Sequence, residues 1–122
     1  MKLAYVEVLE AAAANGDQAR LLQLLGEIDA LRPGERPPML EAHAHRFHAK
    51  LTGDETRFRA AEALFRELSL VFWLGVTLLE HGEATGDEAA LSEAREVFSD
   101  LKAAPWLERV DAATARRAKV PA

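Results

Sequence analysis

Four histidines and the carboxylates near them are the residues of this sequence best suited to chemistry. Glu41, His43, His45 and His48 are close neighbours, and on a helix Glu41 and His45 stand one turn apart, as do His45 and His48. A carboxylate and two imidazoles on one face could approach a divalent cation, which accepts both kinds of donor. The zinc-protease arrangement needs two histidines four apart with a glutamate directly after the first, and that pattern is missing. Solvent-facing or salt-bridged histidines are the favoured reading, so neither a metal nor a cofactor is expected. His81 stands 33 residues after His48, with Glu80 and Glu83 beside it, so the two histidines could share one surface. Polar positions on a solvated face are again the simpler account. No serine, histidine and acid fall at a recognisable spacing, and no glycine-rich loop with lysine and serine or threonine is present to cradle phosphate. With no cysteine there is no thiolate either, and the expectation is a protein that is not an enzyme.

The elements that position these groups are legible because the chain matches itself. Shifted by 33 residues, Thr52-Gly53-Asp54-Glu55 lies on Thr85-Gly86-Asp87-Glu88, and Ala61, Phe65, Leu68, Trp73 and Leu74 lie on Ala94, Phe98, Leu101, Trp106 and Leu107. Repeats of this length are stacked helix pairs. Asn15-Gly16-Asp17, Thr52-Gly53-Asp54 and Thr85-Gly86-Asp87 each read as a hairpin bend, since glycine ends one helix in the left-handed conformation and aspartate caps the next. One domain over residues 1–122 follows, with helical hairpins over 2–31, 38–68 and 70–102 and a C-terminal capping helix over 105–117. Arg32-Pro33-Gly34-Glu35-Arg36-Pro37-Pro38 interrupts the pattern as a loop that leads into a helix near Pro38. The helix from Leu70 is apolar around most of its circumference and should be the centre of the core. Trp73 and Trp106, being equivalent, are expected to fill the seams between hairpins, and either Phe72 or Trp73 is left over to line a groove.

Composition narrows the class of partner. The formal charge of −5 argues against a nucleic-acid surface, and the basic cluster Arg116, Arg117 and Lys119 reads as a frayed, solvated helix end. Glu7 and Glu10 within the apolar pattern of the first fourteen residues exclude a secretory leader or membrane span there. The apolar run from Leu68 to Leu79 is too short to cross a bilayer. A cytoplasmic location is expected.

In the second helix of two hairpins a small residue precedes phenylalanine by four, as Ala61 with Phe65 and Ala94 with Phe98. With the period and the hairpins, this resembles the tetratricopeptide repeat. Phe65-Arg66-Glu67-Leu68, the run from Phe72 to Gly82, and Pro105-Trp106-Leu107-Glu108-Arg109 resemble the C-terminal helical-repeat regions of large bacterial regulators. Those proteins carry a cyclase or DNA-binding domain and a signal-transduction ATPase elsewhere. The resemblance implies a sensory or scaffolding segment, either part of a larger regulator or a stand-alone relative.

The fold expected is thus all-α, a right-handed α-α superhelix of about three tetratricopeptide-like hairpins closed by a capping helix. The function expected is protein or peptide binding on a concave side lined by the first helix of each pair. Tyr5, His45, His48, Glu80 and His81 are the candidate partner-binding residues, being polar or amphipathic on those helices. A ligand- or metal-responsive sensor that uses the histidines is the alternative. Leu3, Tyr5 and Val6 would face an upstream repeat or, in a homodimer, a second copy.

Overall fold

A computed structural model of the chain describes residues 3–119. Among the described residues there are seven α-helices and no strand, so the fold is all-α. They are α1 (Leu3–Ala14), α2 (Gln18–Asp29), α3 (Pro38–Thr52), α4 (Glu55–Glu67), α5 (Val71–Thr85), α6 (Glu88–Asp100) and α7 (Ala104–Lys119), with a 3-10 turn at Pro33–Glu35 in the proline-rich loop. The expected start of the first hairpin at Lys2 and the outer ends of the 1–122 domain lie outside the described residues.

The bends form for the reasons the turn residues supply. Gly53 and Gly86 have φ of 74° and 75°, the left-handed conformation that costs glycine little. Asp54 and Asp87 then accept hydrogen bonds from the Thr56 and Ala90 N–H groups at 2.9 and 3.0 Å. Thr52 and Thr85 complete each bend, donating to the His48 and His81 carbonyls at 2.9 Å and accepting from the following aspartate N–H at 3.3 Å. So short a connection between packed helices makes α3 and α4 antiparallel, and likewise α5 and α6. The links between hairpins repeat as well. Ser69 and Lys102 both take positive φ, and the Leu70 and Ala103 N–H groups return to the Phe65 and Phe98 carbonyls.

Packing alternates between successive helices and every second helix. α1 packs on α3, α3 on α5 and α5 on α7, whereas among the described residues the backbones of α2 and α4 stay apart, as do those of α4 and α6, which are joined by the exposed Arg66–Glu93 pair. The odd-numbered helices are therefore gathered into one layer and the even-numbered ones spread over its back.

Two apolar clusters result. Leu9, Leu25, Ile28, Leu40 and Phe47 anchor one across α1 to α3, and Phe65, Val76, Leu79, Ala94 and Phe98 anchor the other across α4 to α6. Every residue from Leu74 to Gly82 of α5 is buried, which suits a helix enclosed by α3, α4, α6 and α7. Gly75 and Gly82, two turns apart on α5, allow the approach of α6. A Cβ on Gly82 would sit 2.3 Å from Leu91, and one on Gly75 would sit 2.7 Å from Val97.

α3 divides the two clusters. Leu40, Ala44 and Phe47 belong to the first and Ala42 to the second, while His43 and Arg46 fill the seam between them. In α7, Arg116 and Arg117 are exposed and reach back toward the α5–α6 bend. Arg117 donates to the Gly86 carbonyl at 2.7 Å, and Arg116 lies 3.8 Å from Glu83. The side chain of Lys119 lies outside the described residues.

Candidate functional site

The odd-numbered layer carries a chain of charge pairs. Glu10 on α1 accepts from Arg46 Nη1 on α3 at 2.5 Å. Arg46 then makes two parallel bonds to Glu80 on α5, Nε to Oε1 at 2.5 Å and Nη2 to Oε2 at 2.7 Å. Lys50 approaches the same Glu80 at 3.0 Å. Further along α5, Glu83 receives a second two-bond pair from Arg109 of α7, at 2.8 and 2.6 Å. Signs alternate from helix to helix: acid on α1, base on α3, acid on α5, base on α7.

Burial makes the Arg46–Glu80 pair the costliest and most specific of these, since the side chains are only 2 % and 5 % exposed. Burial opposes ionisation of Glu80, but its bonds to Arg46 and the neighbouring Lys50 charge outweigh that and hold its carboxyl below the usual range. The guanidinium is further sandwiched over the rings of Phe47 and Trp73, at 4.7 and 5.2 Å.

His43 stands behind the pair, fully buried, with Nδ1 3.3 Å from Arg46 Nη1. Burial and the Arg46 charge lower its pKa to about 3, so it is a neutral ring whose Nδ1 accepts a hydrogen bond from the guanidinium. It packs edge to face against Phe65 and Trp73, and among the described residues its Nε2 has no hydrogen-bond partner.

A groove of about 250 Å³ opens over this network between α1, α3, α5 and α7. Phe72, Trp73 and Trp106 give it an aromatic wall, and Arg46, Lys50, Glu80 and Arg109 a charged floor and rim. Phe72 meets Trp73 and Trp106 edge to face, while Trp106 stacks on Phe98 at 5.4 Å. The two tryptophans serve the seams and the groove together, being half-buried against the α4–α7 core with one side toward the opening. Phe72 remains 38 % exposed, the most open of the three.

The five candidate residues fall in different places. Tyr5 is half-buried and packs with Val6 against the N-terminal core. His45 is engaged by Arg57, which approaches Nδ1 at 3.3 Å; burial and the Arg57 charge lower its pKa. His48 pairs with Asp29 at 3.1 Å at the edge of α2. Glu41, His45 and His48 thus do not gather as one ligand set. Glu80 lines the groove but is buried by its pairing. His81 lies 2 % exposed rather than on a solvated face, because α4 and the α6 N-terminus close over it with carboxylates. Its Nδ1 meets Glu62 at 2.8 Å, its Nε2 meets Glu55 at 3.0 Å and Asp87 at 3.7 Å, and its ring stacks on Phe58.

Sequence reasoning missed Arg46, Glu10, Lys50, Arg109, Glu55, Glu62 and Asp87 as members of these networks. One signal was available in the 33-residue register. Arg46 stands where Leu79 stands and Glu80 where Phe47 stands, and a charge at a position that is apolar in the neighbouring unit marks a buried pair. Among the described residues no helix is long and apolar enough to cross a membrane. No protein-family model matches the chain, and no curated protein or solved structure matches it significantly.

Proposed function

We propose that this chain is a non-catalytic protein-interaction module that holds a peptide or protein segment in the groove of the odd-numbered layer. The observation that carries this reading is the aromatic wall of Phe72, Trp73 and Trp106 set above charges that already neutralise one another. Because Arg46, Glu80, Glu83 and Arg109 are paired within the layer, the unspent capacity of the groove is apolar surface. Its partner is an extended segment anchored by one large apolar side chain between Phe72 and Trp106, with polar flanks along Lys50 and Glu10.

The 33-residue repetition of bends, links and core residues supports stacking as a right-handed, tetratricopeptide-like superhelix, concave on the gathered odd-numbered side. That architecture and the resemblance of roughly residues 40–115 to bacterial regulator repeats favour scaffolding in a cytoplasmic signalling protein. A non-enzymatic role rests on the sequence, which assembles no nucleophile with a base and an orienting group.

Panning a random peptide library against the whole chain tests the reading. Selected peptides should carry a large apolar residue, and Phe72→Ala should weaken them at least tenfold while the helical circular dichroism spectrum is kept. Failure to enrich any sequence, or enriched peptides indifferent to both Phe72→Ala and Trp106→Ala, would defeat it.

A further inference from the structure

The buried end of α5 holds a second group of ionisable side chains, about 100° around the helix from Glu80. Three carboxylates, Glu55, Glu62 and Asp87, converge on one imidazole, His81. The cation nearest to Glu55 is Arg59, at 3.9 Å and largely exposed. Negative charge is therefore in excess around the ring.

The arrangement of the two ring nitrogens is specific. Glu62, itself buried, takes Nδ1 at 2.8 Å, which fixes the tautomer and aims Nε2 at Glu55 and Asp87. Stacking on Phe58 at 5.0 Å, with planes 3° from parallel, holds the ring's tilt. Asp87 is held as well, for one of its oxygens caps α6 through the Ala90 N–H and leaves Oδ2 facing the histidine. The ligand atoms of Glu55, His81 and Asp87 all lie within 4.8 Å of one another. Tetrahedral zinc with ligands about 2.0–2.2 Å away needs its donors about 3.3 Å apart, so modest rotation of the half-exposed Glu55 closes the set.

We propose that Glu55, His81 and Asp87 form a zinc site, with Glu62 as the carboxylate that orients the histidine and solvent at the fourth position. A histidine whose second nitrogen donates to a carboxylate is the usual state of a zinc-bound imidazole, and one nitrogen with two carboxylate oxygens suits this ion better than calcium or magnesium. The ion would tie α4, α5 and α6 together and so fix the angle between the second and third hairpins. The competing occupant of Nε2 is its own proton, in which case the cluster is an ion pair alone.

Calorimetric titration of zinc into the metal-stripped full chain, with thermal unfolding in parallel, decides between them. One zinc per chain and a rise in melting temperature with zinc but not calcium are expected. Glu55→Gln and Asp87→Asn, the latter preserving the helix cap, should each weaken zinc at least tenfold, and Glu62→Gln by about 10- to 100-fold. His48→Gln should leave the affinity unchanged. Absence of saturable heat with no thermal shift would overturn the proposal. So would zinc affinity unaltered in both Glu55→Gln and Asp87→Asn, folding of each variant being checked by circular dichroism.

Discussion

The α3–α4 and α5–α6 hairpins share a backbone and differ in what they bury. Their bends agree to within 0.1 Å in the hydrogen bonds of Thr52 and Thr85, while Asp54 caps through the Thr56 N–H and Asp87 through the Ala90 N–H, one residue further along. Yet His43 and Arg46 in the first stand where Val76 and Leu79 stand in the second, and Phe47 where Glu80 stands. His48 and His81 are the same residue at the same place, one paired with a single carboxylate at the surface and the other enclosed by three. Turn chemistry thus sets the repeat, and the interior is free to diverge as long as each buried charge meets a partner on a neighbouring helix.

The sharpest way to break this comparison is to give each hairpin its neighbour's interior. Glu80→Phe alone leaves the Arg46 guanidinium buried without its main partner and should cost about 3–5 kcal/mol in urea unfolding. Arg46→Leu together with Glu80→Phe removes both charges and should recover at least half of that loss. If the double variant costs as much as the two single ones summed, the pair is not the reason for the difference between the hairpins.

A smaller effect is expected where the hairpins differ only by a methyl group. Ala42 and Ala49 of α3 are replaced by Gly75 and Gly82 in α5. Gly82→Ala should lose about 1–3 kcal/mol, since the added Cβ must displace Leu91 from 2.3 Å. A neutral result in chemical unfolding would mean that α6 can retreat at no cost.

The last effect vanishes at neutral pH and concerns His43 against Val76. The folded pKa of about 3 lies below the ordinary 6.5, so the unfolded chain binds the extra proton between those values. The stability contributed by keeping His43 neutral is complete above pH 6.5 and is lost as pH falls toward 3, at a slope approaching about 1.4 kcal/mol per pH unit. The raised pKa of His81 acts in the opposite sense, its burial being outweighed by Glu55 and Glu62, so the informative quantity is the difference between chains. His43→Val should flatten the decline between pH 6.5 and 4.5 relative to the parent; parallel curves would contradict the burial of a neutral ring.

Much of the helix layout could be read from the sequence, because glycine, aspartate and proline act within a few residues of where they stand. Thr52-Gly53-Asp54 and Thr85-Gly86-Asp87 specify their bends locally, and the leucine and phenylalanine stripes follow helical spacing. The candidate site was legible only in part. Glu80 and His81 were singled out as polar residues on a first helix, but Arg46 reaches Glu80 across 34 residues and Glu55 reaches His81 across 26. Such pairings depend on which faces the stack brings together, and hydrophobic periodicity carries no record of that. The close approach at Gly75 and Gly82 was invisible for the same reason, since it belongs to α6 as much as to α5.

The alternation of acid and base from α1 to α7 also gives the stack a reading order. Each odd helix offers its follower the opposite sign, so a permuted chain with the middle and last hairpins exchanged would set Arg46 and Lys50 against Arg109, and Glu10 against Glu80 and Glu83. Apolar seams alone would accept several sequences of units, because leucine fits leucine in any order. The charges act as a grammar for assembly, permitting one succession of hairpins and penalising the others during folding as well as in the finished protein.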